Sequence, residues 1–321
     1  MKKLLALVLL LVAGLAVGLW FIQGWNGAGP SKQPTPVVIE SGTSLIEAAR
    51  QLETAGVIAS SGRFLFQAKI LGGGKSIKAG EYEFPARASH AEVLRLLQDA
   101  RTLQRMVTIP EGLPSVLVHE RLMRAPTLTG EVPVPEEGSV LPNSYSYQRG
   151  ETRAAVMKRM QAAMTKTLAE LWPKRNPATV VKSPQEAITL ASIVEKETGK
   201  ASERRMIAGV YSNRLRQGMK LDADPTVIYP ITKGKPLGRR ILRSELDANN
   251  GYNTYAMAGL PVGPIANPGK ESIAAVLNPA DTRALYFVAD GTGGHVFADT
   301  LAEHNANVQK WFALRRARGE M

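Results

Sequence analysis

From Leu4 to Ile22 the chain is an unbroken apolar run, set directly behind Lys2 and Lys3. Such a run has to leave water. Its nineteen residues, wound as a helix at 1.5 Å each, reach ~28 Å, close to the hydrocarbon thickness of a bilayer. Cleaved signal peptides have shorter cores, of about 7–15 residues, that end at a small-residue cleavage site. This run ends in Trp20 and Phe21, residues that favour the membrane interface. Residues 1–24 are therefore expected to be a transmembrane signal anchor. By the positive-inside rule the two lysines stay in the cytoplasm and everything after the run lies beyond it.

Behind the anchor, residues 25–36 are rich in Gly, Pro, Ser, Asn and Gln and read as a flexible linker. The whole chain has 321 residues, enough for about two domains. Several chemistries are excluded at once. With no cysteine there is no disulfide, no thiolate metal site and no cysteine nucleophile. There is no phosphate-cradling glycine loop followed by Lys-Ser or Lys-Thr, so a nucleotide-driven enzyme is not expected. The net charge of +12 suggests an anionic partner, either an acidic lipid surface or an acidic polymer. Nucleic acid is not expected, because zinc-finger spacings and aromatic RNA-binding signatures are missing. His295 and His304 lack the clustering a metal site needs and are expected to be structural hydrogen-bonders; no metal or cofactor is predicted.

Residues 37–105 read as a small α+β module. Val37-Val38-Ile39 is a short strand, followed by a Ser41-Gly42 turn. Leu45, Ala48, Ala49 and Leu52 then recur at helical spacing. A second helix is expected over Phe64 to Leu71, stopped by Gly72-Gly73-Gly74. Glu81-Tyr82-Glu83-Phe84 alternates like a strand, and Ser89 with Glu92 opens a further helix as a capping box. Short strands flanking small helices resemble a LysM-like module, a common glycan-binding fold; the alternative is a spacer without a ligand.

The larger part, residues 106–321, contains the most informative segment. Ser183 is a natural N-cap, Pro184 suits the first helical position, and Glu186 completes a capping box. Gly199 is a natural stop, so a helix is predicted from about Pro184 to Thr198. On a 100° wheel, Ala187, Leu190, Ile193 and Val194 form an apolar face and Glu197 falls on it, whereas Glu195 points away. A carboxyl on a buried face is expected to have a raised pKa, which suits a general acid. The wheel alone leaves the opposite open: Glu197 solvated at the helix end, or paired with Arg204 or Arg205.

Further motifs follow in order: Gly209-Val210-Tyr211-Ser212-Asn213-Arg214-Leu215, then Asp224-Pro225-Thr226-Val227-Ile228-Tyr229, then Tyr252-Asn253-Thr254-Tyr255. After these come Gly259-Leu260-Pro261-Val262-Gly263-Pro264-Ile265-Ala266-Asn267-Pro268-Gly269, Gly294-His295-Val296-Phe297 and Glu303-His304-Asn305. Together with Ile193-Val194-Glu195-Lys196-Glu197-Thr198 they closely resemble the YceG-like (MltG) family of endolytic murein transglycosylases, over nearly the whole chain. Two motifs depart from the family pattern. Asp222-Ala223-Asp224 stands where the family usually has Gln before the small residue, and Pro142-Asn143-Ser144-Tyr145 stands for Pro-Asp-Thr-Tyr.

The resemblance implies an α+β chain with an N-terminal transmembrane helix, a LysM-like module and a larger α+β catalytic domain. It also implies a single-pass protein of the bacterial inner membrane with that domain in the periplasm. The implied activity is cleavage of β-1,4 bonds between N-acetylmuramic acid and N-acetylglucosamine within nascent peptidoglycan strands, leaving 1,6-anhydro ends. The family's catalytic carboxylate maps onto Glu197, as acid and then base. The implied partners are glycan strands, the inner membrane and the synthases that build new glycan. Candidate substrate-binding residues are Asp224, Thr226 and Tyr229, on an expected turn and strand start, and Tyr252, Asn253 and Tyr255, in a Gly/Asn-rich loop. Each could equally be local turn chemistry. The rival readings are a non-catalytic wall-binding scaffold and a water-using muramidase in which Asp224 is the second carboxylate. Leu301 to Arg318 is expected to close the chain as an amphipathic helix with a basic end.

Overall fold

A computed structural model describes residues 2–99, 102–103 and 105–320, without the side chains of 2–10, 13, 16 and 17. The first helix, α1 (Lys2–Asn26), covers the apolar run. Among the described residues no helix is long and apolar enough to cross a membrane. The first half of the expected anchor lies outside the described side chains.

The chain divides into two compact units. One comprises residues 1–105 and 146–150. After α1 it runs β1 (Thr35–Ile39), α2 (Leu45–Thr54), α3 (Ser61–Leu71), β2 (Gly80–Phe84) and α4 (His90–Gln98). The two strands are antiparallel, with Thr35 opposite Phe84 and Ile39 opposite Gly80. Caps set the helix starts. The Ser44 hydroxyl accepts from the Glu47 amide while Glu47 accepts from the Ser44 amide, and Ser89 accepts from Glu92. The helical stripe Ala48, Ala49 and Leu52 packs with Phe64, Phe84, Val93 and Leu97 into one closed core, in which Tyr82 is also buried.

The other unit comprises residues 106–145 and 151–321. Strands β3 (Arg105–Ile109) and β4 (Asn143–Tyr147) pair with each other. The helices are α5 (Ser115–Arg124), α6 (Arg153–Leu171), α7 (Pro184–Glu197), α8 (Arg204–Arg216), α9 (Asp224–Thr232), α10 (Arg243–Leu246) and α11 (Lys270–Leu277). A hairpin of β5 (Tyr286–Ala289) and β6 (His295–Ala298) precedes α12 (Leu301–Ala317). The Asp290 carboxylate folds the hairpin loop by accepting from the amides of Thr292 and Gly294.

Helix α7 is the axis of this unit. Residues 187–194 are all buried, including Thr189 and Ser192, because α8, α9 and α11 pack around it. It is therefore a core helix rather than the amphipathic one the wheel describes. The two polar side chains are satisfied inside: the Ser192 hydroxyl donates to the Thr189 carbonyl and accepts from the Ile265 amide. Gly209 lets α8 approach the segment before the hairpin, since a Cβ there would meet Thr282 Cγ2 at 2.8 Å and Ala280 O at 2.9 Å.

Two expectations are corrected here. Asp224 to Tyr229 is the start of helix α9, not of a strand. Pro225 sits in the first helical turn, where its fixed φ helps and its missing N–H costs nothing, and this outweighs the β-branched Thr226, Val227 and Ile228. Helix α12 packs on the hairpin, but none of its residues is fully buried.

Candidate active site

The N-terminus of α7 is fixed by the Ser183 hydroxyl, which accepts from the Glu186 amide at 3.1 Å. Glu186 does not return the bond to Ser183; its carboxylate accepts from the Lys182 amide at 2.6 Å. At the other end the helix stops at Glu197. Thr198 is already extended, at φ −137° and ψ 132°, so the chain leaves the helix before Gly199.

The two glutamates of the last turn meet opposite surroundings. Glu195 is not solvated: its side chain is only 5% exposed. One oxygen lies 3.4 Å from the Arg204 guanidinium, and the other accepts from the Gly269 amide at 2.9 Å. Arg204 also reaches Glu111 at 2.8 Å. Glu197 has no such partner. Its Oε1 is sealed from solvent and makes no hydrogen bond. Burial is the main force on this carboxyl and raises its pKa to about 7. A hydrogen bond offered by the Tyr211 hydroxyl opposes this, the charge of Asp224 adds to it, and the charge of Arg214 opposes it again.

Glu197 borders a cavity of about 430 Å³ in the same unit. Arg214, Asp222, Asp224, Tyr255, Tyr286, Phe287 and His304 line it as well. The charged groups are held in place. Arg214 donates to the carbonyls of Leu285 at 2.6 Å and Leu221 at 3.0 Å, and pairs with Asp222 at 3.0 Å. Its guanidinium also lies 5.2 Å from the Tyr286 ring centre. His304 stacks on the same Tyr286 ring, with centroids 5.2 Å apart, and burial lowers its pKa, with the charge of Arg214 acting the same way. A larger cavity elsewhere in this unit, about 510 Å³, is walled mainly by Leu113, Pro114, Leu117, Ile228 and Leu237. Glu111, at its edge, is already neutralised by Arg204.

The expected substrate-binding residues separate into two groups. Asp224 and Tyr255 line the cavity with Glu197, and the Tyr255 hydroxyl donates to Asp224 at 2.7 Å. The others face elsewhere. Thr226 is fully buried, donates to the Ala223 carbonyl at 2.7 Å and lies 2.9 Å from the Thr254 hydroxyl. The Asn253 amide group gathers the carbonyls of Glu245, Leu246 and Ala248, and its oxygen accepts from the Tyr255 amide at 2.9 Å. Asn253 thereby sets the loop that presents Tyr255. Tyr229 is buried, with its ring 4.9 Å from that of Tyr252 and its hydroxyl donating to Glu137. His295 bonds Glu203 through Nδ1, at 2.8 Å, and through its amide, at 3.1 Å.

Tyr211, Arg214, Tyr286, Phe287 and His304 were not singled out from the sequence as site residues. For two of them a signal existed: Ile207, Val210, Tyr211 and Arg214 recur at helical spacing on one face of α8, so an arginine ends an otherwise apolar stripe. The ring-bearing wall comes from the hairpin and α12, about a hundred residues from α7 in sequence, and no local pattern connects them.

Fold and cavity together define an α+β protein in which a glutamate whose pKa burial raises to about 7 borders a cavity. Residues 37–310 match the YceG-like family, and the chain belongs to that family. It is 36% identical over 184 residues to the endolytic murein transglycosylase of Bacillus subtilis, across 56% of this chain and 49% of that protein. It is 30% identical over 329 aligned residues to the endolytic murein transglycosylase of Streptococcus pneumoniae strain D39, across 87% of this chain and 58% of that protein. The chain thus spans about half the length of the curated relatives it matches. The crystal structure of a yceG-like protein from Listeria monocytogenes matches with a TM-score of 0.55 and 27% identity, covering 86% of this chain and 99% of that one.

Proposed function

We propose that the protein is an endolytic lytic transglycosylase of peptidoglycan, with Glu197 as its sole acid and base. The observation that carries this reading is the Glu197 carboxyl, held near neutral pKa beside an open cavity with one oxygen unpartnered. The names of the relatives support the same reaction class.

The carboxyl enters the reaction protonated. It gives its proton to the glycosidic oxygen leaving C1 of N-acetylmuramic acid. The carboxylate so formed takes the proton of that sugar's own 6-hydroxyl, whose oxygen closes onto C1 as a 1,6-anhydro ring. The proton count balances and no water is consumed. Because the nucleophile belongs to the substrate, most of the entropy of bringing it to C1 is already met. The Arg214 charge and the rings of Tyr255, Tyr286 and Phe287 offer surfaces for a sugar and its acidic peptide. The order strand, helix, helix, strand in the smaller unit supports the reading of a LysM-like glycan-binding module. The apolar run and its flanking lysines support an inner-membrane anchor with the rest of the chain in the periplasm.

A muramidase using Asp224 to activate water is the second reading, favoured by the presence of Asp224 in the same cavity. Mass spectrometry of sacculi digested in H2(18)O separates the two. Anhydro ends without label are expected, and Glu197→Gln should produce none. Labelled reducing ends would identify a hydrolase, and undigested sacculi with the unaltered protein would favour a scaffold.

A further inference from the structure

We propose that the exposed face of α3 lies against the lipid surface, so that the small unit is seated on the membrane rather than held away from it on a flexible tether. The proposal rests on the membrane-anchor reading above.

Helix α3 buries Phe64, Gln67 and Ala68 in the core of its unit. Its opposite face is apolar too. Phe66 is 59% exposed and Ile70, one turn on, is 57% exposed. Large apolar side chains paired at this spacing on an outer face signal a surface built for something other than water. Lys69 lies beside them on the helix, Arg63 lies one turn back, and Lys75 and Lys78 follow in the exposed loop. An apolar patch with a cationic rim matches a lipid surface: rings and aliphatic chains enter the acyl boundary and the cations meet phosphates.

What names lipid as the occupant is continuity with α1, which belongs to the same unit. The Phe66 ring stands edge-on to Phe21, with centroids 5.6 Å apart. Leu15, Leu19, Trp20 and Ile22 of α1 are all more than half exposed. The apolar surface of the anchor thus runs on to Phe66 at the level of Trp20 and Phe21, the pair that marks the membrane interface. The junction is also built rather than loose. The Gln67 side chain is fully buried, donates to the Phe21 carbonyl at 2.9 Å and meets His90 Nδ1 through its oxygen at 2.5 Å. The Arg63 guanidinium stacks over the Trp20 ring at 4.4 Å, and Trp25 packs on the core of the unit. With α1 bolted to α3, immersion of Trp20 and Phe21 brings Phe66 to the same depth.

The absence of cysteine makes the test direct. Single variants Phe66→Cys and Ile70→Cys of the full chain carry an environment-sensitive fluorophore and are reconstituted in anionic phospholipid vesicles. Leu15→Cys reports the anchor, and Glu53→Cys, on the exposed side of α2, reports water. The expected result is a blue shift at positions 66 and 70, quenching by brominated lipid, and several-fold weaker quenching by aqueous iodide than at position 53. Lipid quenching at 15 with iodide quenching at 66 and 70 equal to that at 53 would overturn the proposal and leave the anchor standing. Failure of lipid quenching at 15 would remove the anchor and this inference together. Shielding of 66 and 70 from both quenchers would overturn it in favour of a protein partner.

Discussion

Glu195 and Glu197 share one helix turn and one residue type, yet their surroundings set them opposite tasks. At Glu195 the unit supplies Arg204 and the Gly269 amide, so both carboxylate oxygens are engaged. At Glu197 it supplies burial, the nearby charge of Asp224 and an oxygen without a partner, so the pKa rises to about 7. The lesson is that chemistry is assigned by what surrounds a carboxyl rather than by its place in a motif. One glutamate fastens the helix to the loop at Gly269, and the other borders the cavity with an unpartnered oxygen.

The sharpest way to break the comparison is by exchange of each carboxyl for its amide. Glu197→Gln should lower turnover of sacculi by ~10²–10⁴-fold, the range of a lost general acid–base group, with the fold kept. A comparable loss in Glu195→Gln with unchanged stability would remove the distinction between the two. The second effect is on stability. With its folded pKa at about 7 and an ordinary value of 4.5 when unfolded, Glu197 holds a proton in the fold that the unfolded chain has released. Between these values stability falls as pH rises; above about 7 the full cost is present, and below 4.5 it vanishes. Calorimetry should therefore find Glu197→Gln more stable than the unaltered protein at pH 8, by up to ~3 kcal/mol, and equal to it at pH 4.

The reverse holds across the turn. Glu195→Gln should destabilise the unit by about 2 kcal/mol at pH 7, since Arg204 loses an inner partner while the amide bond to Gly269 survives, and urea unfolding measures this. The smallest effect tunes Glu197 itself. Tyr211→Phe removes a hydrogen bond that favours the charged form, so the alkaline limb of the activity profile should move up by a fraction of a pH unit. Asp224→Asn removes a charge that disfavours it, so the limb should move down. Shifts of the opposite sign would show that Tyr211 and Asp224 do not control the proton.

How much of this was readable beforehand follows the range of each interaction. The start of α7 was legible because Ser183 and Pro184 act within one turn. So were the stripes Ala48, Ala49, Leu52 and Val93, Leu94, Leu97, since each helix buries a single face. The burial of Ile188, Thr189 and Ser192 was not, because it depends on three helices arriving from elsewhere in the chain. The bond from the Gly269 amide to Glu195 depends on the same long range, more than seventy residues of sequence, whereas the ion-pair partner Arg204 lies only nine residues away. The strand start expected at Asp224 to Tyr229 gives way to helix α9, whose first turn holds Pro225. Of the six candidate sugar contacts, Asp224 and Tyr255 reach the cavity; Thr226 bonds Thr254, Asn253 sets the loop of Tyr255, and the buried Tyr229 packs on Tyr252.

One carboxylate outside the cavity works as a linchpin. Glu203 receives the Thr198 hydroxyl at 3.4 Å, Lys200 at 3.4 Å, and the ring and amide of His295. Thr198 directly follows Glu197, and His295 opens the strand paired with the one bearing Tyr286 and Phe287. The segment next to Glu197 and the ring-bearing wall are therefore fastened to a single peg. Pulling that peg should let the jaws of the cleft drift apart while every side chain lining the cavity stayed chemically intact.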